Sequence, residues 1–188
     1  MKNIALFGTS ADPPTAGHKK IIKCLSQSFD WVAVWAVDNP FKNQKTSLKH
    51  RAAMLELLIS DIESTDNNIS LEQEISNLRT LETVEKAKTV WGANIAYTLV
   101  IGSDLIGQLT KWYHIENLLN QVKLLIIPRP GYPIDDLSLN TVRNLGGKIA
   151  IANFMGLDVS STTFREQKNM ATLTPPVIDY IHREHLYV

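Results

Sequence analysis

The sequence predicts an α/β protein with a doubly wound parallel sheet, on two observations. Short, nearly continuous apolar runs recur along the 188 residues, as is typical of parallel strands covered on both faces. Amphipathic stretches separate these runs, so helices are expected to connect successive strands by right-handed crossovers. A chain of this length buries roughly 70% of its unfolded surface, and residues 1–188 are predicted to form a single domain.

Five apolar runs are predicted to be buried strands. They are "NIALF" (3–7), "WVAVWAV" (31–37), "YTLVIG" (97–102), "VKLLIIP" (122–128) and "KIAIAN" (148–153). A sixth stretch, "NISLEQEI" (68–75), alternates apolar and polar residues and is predicted to be an edge or half-exposed strand. Helices are predicted over residues 17–28, 47–62, 80–91, 114–121, 135–145, 163–171 and 175–184.

The composition narrows the class of protein. Lys plus Arg and Asp plus Glu each number 19, and this balance argues against a general nucleic-acid or membrane-surface binder. The single cysteine, Cys24, excludes an intrachain disulfide and is predicted to be a core residue. The sequence shows no secretory leader and no apolar stretch of the ~20 residues that span a membrane, so a soluble, cytoplasmic protein is expected.

Sheets of this kind bind ligands beyond the carboxyl ends of their strands, and "GTSADPPTAGH" (8–18) follows the first strand. Gly8 allows the backbone to approach a ligand, Thr15 fits an N-cap, and Gly17 leaves the first helical turn open to an anion. Positive charge follows at His18, Lys19 and Lys20. Such side chains oppose the helix dipole unless a polyphosphate binds. The alternative is an ordinary strand–turn–helix connection.

A second stretch, "VSSTTFRE" (159–166), repeats this combination. Thr163 and Glu166 fit a capping box, so a helix is predicted to begin near Thr163 with Arg165 in its first turn, again opposing the dipole. Three hydroxyls come just before it, those of Ser160, Ser161 and Thr162. Arginine can bind phosphate oxygens as a fork, so the stretch suits β- and γ-phosphates. The alternative is a Ser/Thr-rich cap with a solvated arginine.

The sequence lacks the G-x-x-x-x-G-K-[ST] motif of P-loop enzymes and the G-x-G-x-x-G motif of dehydrogenases. It carries instead two stretches that resemble the signatures of the α/β nucleotidyltransferase superfamily. The [HT]-x-G-H signature is matched at Thr15, Gly17 and His18, and the I-S-S-T-x-x-R signature at Ser160, Ser161, Thr162 and Arg165. The resemblance implies a Rossmann-like, adenine nucleotide α-hydrolase-like nucleotidyltransferase fold.

Five further stretches resemble one family within that superfamily, the bacterial nicotinate mononucleotide adenylyltransferases. They are "DNPFK" (38–42), "LKHRAAML" (48–55), "RTLETVE" (79–85), "GSDLIGQLTKWY" (102–113) and "IPRPGYP" (127–133). The resemblance implies that the 5′-phosphate of nicotinate mononucleotide attacks the α-phosphorus of ATP, giving deamido-NAD and pyrophosphate. Such a transfer needs alignment and charge stabilisation rather than a covalent enzyme intermediate.

The same resemblance assigns the ATP side of the site. His18 would stabilise charge on the α-phosphate, and Thr15 with the backbone near Gly8, Thr9 and Ser10 would hold the nucleotide. The second signature, from Ser160 to Arg165, would hold the phosphates that leave. Mg²⁺ is expected to be carried by the ATP phosphates, so that no metal site formed by the protein is required.

The acceptor side has seven candidate residues, which are Asn39, Lys42, Thr83, Asp104, Trp112, Tyr113 and Arg129. The two aromatic side chains offer a stacking surface, although they could instead anchor their loop. Asp104 could bind ribose hydroxyls or cap the next helix. Arg129 could contact a phosphate or support its turn.

Some positions depart from the usual family pattern: Thr9, Ala11 and Thr15 replace a glycine, a phenylalanine and a histidine. Two other functions therefore stay open at this point. One is a sister enzyme acting on nicotinamide mononucleotide or phosphopantetheine, and the other is a non-catalytic nucleotide-binding module. A homo-oligomer is compatible with the sequence, which does not give the oligomeric state. No nucleic-acid or membrane partner is expected.

Overall fold

The computed structural model describes residues 2–38, 44–63 and 67–188. The predicted acceptor residues Asn39 and Lys42 lie outside the described residues.

Six parallel strands form the sheet, and they confirm the predicted fold class. The strands are β1 (Asn3–Thr9), β2 (Trp31–Ala36), β3 (Ile69–Leu71), β4 (Ala96–Gly102), β5 (Lys123–Ile127) and β6 (Lys148–Ile151). Their order across the sheet is β3-β2-β1-β4-β5-β6. The strand predicted to be buried over residues 148–153 is therefore the other edge strand, β6, whose residues are partly or fully exposed. Residues 68–75 supply a short, partly buried edge strand followed by a 3₁₀ turn over Gln73–Ile75, which agrees with the edge position that alternation predicts.

Seven α-helices connect or flank the strands in the described parts of the chain. They are α1 (Ala16–Ser26), α2 (Leu48–Ser60), α3 (Thr80–Trp91), α4 (Ile115–Leu119), α5 (Asp136–Asn144), α6 (Ser161–Gln167) and α7 (Pro175–Arg183). Two more 3₁₀ segments cover Ser103–Lys111 and Met170–Thr172. The helix predicted over residues 163–171 is thus α6, which begins two residues earlier, and a separate 3₁₀ turn.

The core lies in two layers, one on each face of the sheet. Successive residues of β1 point to opposite faces, as strand geometry requires, so Ile4 and Leu6 join one layer while Ala5 and Phe7 join the other. Helices α3, α4 and α5 cover the first layer, and α1, α2 and α7 cover the second. Cys24 on α1 is only half-buried, so it does not belong to the core as predicted.

The strand order places a switch point between β1 and β4. From β1 the chain continues outward to β2 and β3, and it then returns to β4 on the other side of β1. Open α/β sheets bind ligands in the crevice that forms beyond the carboxyl ends of two such strands. Within the part of the chain that the structure describes, no helix has the length and apolar character needed to cross a membrane.

Candidate active site

Two adjoining cavities lie at the carboxyl edge of the sheet, with volumes of about 110 and 370 Å³. Both are lined by Gly8, at the end of β1. The predicted site residues that line the smaller cavity are Gly8, Thr9, Ser10, Gly17, His18, Asp104 and Arg129. Those that line the larger cavity are Gly8, Thr83, Trp112 and Tyr113. The fold therefore brings the end of β1 together with residues that are distant in sequence, from Thr83 on α3 to Arg129 after β5.

His18 is held at both nitrogens of its ring. The backbone N–H of Thr15 donates to His18 Nδ1 at 3.0 Å, and the Thr15 hydroxyl lies 3.0 Å from the same nitrogen. Because Nδ1 accepts that bond, the ring proton is on Nε2, which lies 2.9 Å from the Thr9 hydroxyl. The predicted N-cap at Thr15 is confirmed, since α1 begins directly after it. Thr15 itself is fully buried, and its hydroxyl and backbone N–H both contact the His18 ring.

The protein's own packing leaves no room for a side chain at Gly8 and little room for one at Gly17. A Cβ at Gly8 would lie 2.6–2.8 Å from the indole of Trp35, so the space next to the backbone is filled by a tryptophan of the neighbouring strand. A Cβ at Gly17 would lie 3.1–3.2 Å from Val159, which comes just before the second signature. The glycines thus let β1 and α1 approach other elements closely, as well as lining the smaller cavity.

The helix that carries the second signature begins earlier than the sequence predicts. Ser160, rather than Thr163, is the N-cap of α6, and its hydroxyl accepts the backbone N–H of Thr163 at 3.1 Å. Arg165 is consequently the fifth residue of the helix and does not oppose the dipole in the first turn, so that expectation is wrong. Its Nη1 donates to the carbonyl of Asp12 at 2.5 Å and lies 3.8 Å from the Asp12 carboxylate.

The other hydroxyls of the signature also have partners inside the protein. Ser161 donates to the carbonyl of Pro13 at 2.7 Å, and Thr162 accepts from Arg165 at 3.2 Å. The signature therefore packs against the loop that follows β1. Val159, the residue just before the signature, lines the smaller cavity, whereas the side chains of residues 160–165 do not.

Lys19, which the sequence suggests as a cation for a polyphosphate, is paired with an acid of the protein in this structure. Its Nζ lies 2.7 Å from a carboxylate oxygen of Asp61, at the end of α2. The opposite charge on a neighbouring helix thus balances a lysine that would otherwise sit unfavourably near a helix start.

Asp104 and Arg129 form an ion pair at 3.2 Å on the wall of the smaller cavity. Asp104 is not the N-cap of the following 3₁₀ segment, because Gly102 occupies that position. Its Oδ1 is buried and has no hydrogen-bond partner among the described residues. A buried carboxylate oxygen in that state is suited to accept a hydroxyl or N–H of a ligand. The backbone N–H of Arg129 donates to the Ser103 hydroxyl at 3.0 Å, which supports the turn as well.

The larger cavity is lined by aromatic and polar side chains at the start of α3 and the end of the 3₁₀ segment. Trp112 is half-buried against the core, whereas Tyr113 is 43% exposed. The guanidinium of Arg79 lies 4.0 Å from the centre of the Tyr113 ring. Thr83 is buried and accepts the backbone N–H of Asn77 at 3.1 Å. Trp112 and Tyr113 therefore both line the cavity, Trp112 while packed against the core and Tyr113 while in contact with Arg79 and, edge-on, with His114.

Arg51 is a functional candidate that the sequence reasoning did not single out. It is 1% exposed and donates to the carbonyls of Ser10, Val37 and Thr46 at 2.9, 2.6 and 3.0 Å, and to the carboxylate of Asp38. It thus ties the loop after β1 to the end of β2. The signal was present, because Arg51 shares the apolar helical spacing of the buried residues Met54, Leu55 and Leu58.

Among the described residues, no group of three or more His, Cys, Asp and Glu side chains is arranged to hold a metal ion.

The class of protein follows from these features together with one comparison. The cytidylyltransferase-like family model matches residues 6–167, which include both signatures, the end of β1 and the other five strands in full. The chain belongs to this class of nucleotidyltransferases, and its fold is the one expected for the class.

Relatives specify the family further. A protein of Synechocystis sp., named a probable nicotinate-nucleotide adenylyltransferase, is 42% identical over 197 residues, which cover 98% of each protein. The nicotinate-nucleotide adenylyltransferase of Escherichia coli O6:H1 is 28% identical over 217 residues, with 100% of both covered. The chain belongs to the nicotinate-nucleotide adenylyltransferase family.

A solved structure shares the fold over the whole chain. Plasmodium falciparum nicotinic acid mononucleotide adenylyltransferase, complexed with NaAD, superposes with a TM-score of 0.82 at 23% identity. The match covers 100% of this chain and 98% of that one.

Proposed function

We propose that this protein transfers the AMP group of ATP to nicotinate mononucleotide, giving deamido-NAD and pyrophosphate. The observation that carries this proposal is the pair of cavities that share Gly8 at the switch point of the sheet. A reaction between two nucleotides needs two adjoining pockets, so that the attacking phosphate oxygen of one nucleotide can reach the α-phosphorus of the other. The full-length likeness to enzymes named for this reaction supports the assignment of both substrates.

The smaller cavity is assigned to the phosphate end of ATP. Its walls combine the backbone of Gly8, Thr9 and Ser10 with the start of α1 and the ring of His18. When the α-phosphate binds, its oxygen replaces the Thr9 hydroxyl as the partner of the His18 Nε2–H. That hydrogen bond strengthens as negative charge builds on the α-phosphate in the transition state.

The chemical step needs no group on the protein to become covalently attached. An oxygen of the acceptor's 5′-phosphate forms a bond to the α-phosphorus, and the bond from that phosphorus to the bridging oxygen of the β-phosphate breaks. The bonding electrons leave with pyrophosphate. Ser160, Ser161, Thr162 and Arg165 are assigned to the departing phosphates, and the bonds of Ser161 and Arg165 to the carbonyls of Pro13 and Asp12 hold the signature beside the loop after β1.

Mg²⁺ is assigned to the substrate, as MgATP, where it neutralises charge on the triphosphate. The acidic side chains near the smaller cavity agree with a metal carried by phosphates. The Asp12 carboxylate already accepts hydrogen bonds from Tyr187 and the backbone of Lys45, and Asp104 is paired with Arg129.

The larger cavity is assigned to the nicotinate nucleotide. Stacking of a flat ring on Tyr113 or Trp112 is worth about 1–3 kcal/mol if the value for nucleic-acid bases applies. Thr83 lies at the same wall. Because Asp104 and Arg129 line the smaller cavity, we assign the unpartnered Asp104 Oδ1 to a ribose hydroxyl near the junction and Arg129 to holding Asp104 there. Roles for Asn39 and Lys42 in acceptor binding remain predictions, as do a single domain over residues 1–188, a homo-oligomer and a cytoplasmic location.

Product identification tests the proposed reaction directly. The purified protein is incubated with ATP, Mg²⁺ and nicotinate mononucleotide, and the mixture is separated and analysed by mass spectrometry. Equal amounts of deamido-NAD and pyrophosphate are expected. Release of phosphate instead of pyrophosphate, or no dinucleotide at any enzyme concentration, would contradict the proposal.

A further inference from the structure

A buried carboxylate next to the nucleotide loop is held by a distant part of the chain. Asp12 is 2% exposed, and its Oδ1 accepts the hydroxyl of Tyr187 at 2.7 Å across 175 positions of sequence. Its Oδ2 accepts the backbone N–H of Lys45 at 2.7 Å and lies 3.8 Å from Arg165. A buried carboxylate is costly unless such partners satisfy it, so the position of Asp12 depends on them.

The loop that contains Asp12 needs this support because its backbone is strained. Ala11 adopts a φ of +46°, in the left-handed region that residues with a Cβ rarely occupy. Conformations of this kind persist when the surrounding structure holds them in place. The neighbouring residues Thr9 and Ser10 line the smaller cavity, so a shift of Asp12 would be felt where the ATP phosphates are assigned.

Tyr187 is itself fixed against the second signature. Its ring packs edge-on against Phe164 with 5.6 Å between ring centres, and Phe164 is fully buried one residue before Arg165. Its carbonyl accepts the side chain of Lys168, just after α6. Burial raises the pKa of the Tyr187 phenol, so the hydroxyl keeps its proton and donates to Asp12 at physiological pH.

We propose that Tyr187 is a positioning residue for ATP, which holds the loop after β1 in register with the signature on α6 through its hydrogen bond to Asp12 and its contact with Phe164. The proposal rests on the assignment of the smaller cavity and of α6 to the ATP phosphates. Apart from the lining that the two cavities share, such as Gly8, the larger cavity is lined chiefly by residues 77–83 and 108–113, which Tyr187 and Asp12 do not contact in the bonds described above. Loss of the Tyr187 hydroxyl therefore weakens ATP and pyrophosphate handling and leaves acceptor binding alone.

The test compares two tyrosine variants that each lose one hydroxyl with a partner inside the protein. Tyr187→Phe removes the bond to Asp12 and keeps the ring against Phe164. Tyr180→Phe is the matched control, because the Tyr180 hydroxyl lies 2.9 Å from His50 Nδ1 on α2, away from both cavities. Asp12→Asn is a third variant, which keeps a similar shape at the other end of the bond. For each folded protein, the dissociation constant of ATP is measured by titration calorimetry, and KM is measured for both substrates.

Tyr187→Phe and Asp12→Asn are expected to raise the ATP dissociation constant by about three- to tenfold, the range for one lost hydrogen bond. The KM for nicotinate mononucleotide should stay within about twofold, and the double variant should be no worse than the worse single one. Tyr180→Phe should change neither constant. An unchanged ATP constant in Tyr187→Phe, equal losses for both substrates, or an equal effect of Tyr180→Phe would overturn the proposal. If Tyr187→Phe does not fold, Asp12→Asn decides. Because the ATP dissociation constant is measured without turnover, this test gives its answer whether or not the proposed reaction takes place.

Discussion

At the residue scale, the two nitrogens of His18 have different tasks. Nδ1 accepts the N–H of Thr15 and completes a capping box at the start of α1. Nε2 lies 2.9 Å from Thr9 and is the nitrogen that can reach a nucleotide in the smaller cavity. The sequence could identify His18 from its place in the signature, but the sharing of its ring between a structural and a chemical task required the contacts of the folded chain.

The two tasks can be separated by substitution. His18→Ala is expected to lower kcat by about 10²-fold or more, because a preorganised donor to the transition state is lost. It should also destabilise the protein by about 1 kcal/mol through the lost capping bond. His18→Gln should lose the same turnover while keeping most of the stability, since glutamine is a favourable residue at this position of a capping box. Steady-state kinetics and urea unfolding measure the two effects. Wild-type turnover in either variant would remove His18 from the mechanism.

Arg165 lies in the last turn of α6 and bonds to the carbonyl of Asp12, whereas the sequence predicted it in the first turn. Arg165→Ala is expected to raise KM for ATP, and for pyrophosphate in the reverse reaction, while leaving KM for nicotinate mononucleotide nearly unchanged. The variant should be less stable than wild type without ligand, because the bond to the Asp12 carbonyl is lost and no charge is relieved at a helix start. Arg165→Lys keeps the charge but not the fork and should recover only part of the ATP affinity. Titrations that show equal losses for both substrates would contradict the assignment.

At the element scale, the second signature begins a helix, and its first residue has a structural task of its own. The Ser160 hydroxyl caps α6 by accepting the N–H of Thr163 and also lies 2.9 Å from the Thr163 hydroxyl. An N-cap serine therefore positions the chain that carries Arg165 toward the loop after β1.

Substitution of the cap distinguishes capping from phosphate binding. Ser160→Ala is expected to destabilise the protein by about 0.5–2 kcal/mol, the usual cost of a lost N-cap. Ser160→Asp should restore that stability, because aspartate is an equally good cap. It should nevertheless weaken ATP binding, since it adds negative charge where phosphates are assigned. Thermal unfolding and ATP titration of both variants make the comparison. If Ser160→Asp binds ATP as tightly as wild type, the phosphates do not approach the start of α6.

The sequence predicted the elements well where the pattern is local. Continuous apolar runs located five strands to within two residues at each end, and helix α3 was predicted at its observed bounds. The run that forms β6 misled on burial, because an apolar run does not report that its strand lies at the edge of the sheet. The start of α6 was missed because Ser160 and Thr163 both fit an N-cap. In the folded chain the earlier of the two caps α6, and Ser161 and Arg165 then contact residues 13 and 12, which are 148 and 153 positions away in sequence. Likewise, the pairing of Lys19 with Asp61 joins residues 42 positions apart, which no local pattern reports.

At the scale of the whole molecule, the strand order accounts for the position of the site. Because β1 and β4 are neighbours, the loop after Thr9 lies next to the segment after Gly102. The chain before α6 returns to the same edge of the sheet, where Val159 lines the smaller cavity. Arg51 joins the loop after β1 to the end of β2 from inside the protein. The two cavities therefore form from segments that only the crossovers of the sheet bring together.

The preference of the protein for one acceptor nucleotide over another depends on the larger cavity as a whole. Nicotinate and nicotinamide nucleotides differ by a carboxylate in place of a neutral amide, and a carboxylate accepts hydrogen bonds but never donates them. A pocket that presents only donors therefore favours the acid. A bond to a charged group is worth about 1.5–3 kcal/mol, which corresponds to roughly a tenfold to hundredfold preference.

The most direct measurement is kcat/KM for nicotinate mononucleotide, nicotinamide mononucleotide and phosphopantetheine on one preparation, with ATP and Mg²⁺ and with pyrophosphate release as the signal. Nicotinate mononucleotide is expected to be the best acceptor, with kcat/KM about tenfold to hundredfold or more above that of the amide. Phosphopantetheine should give no release above background. Equal values for the acid and the amide, a preference for the amide, or faster reaction with phosphopantetheine would contradict the account.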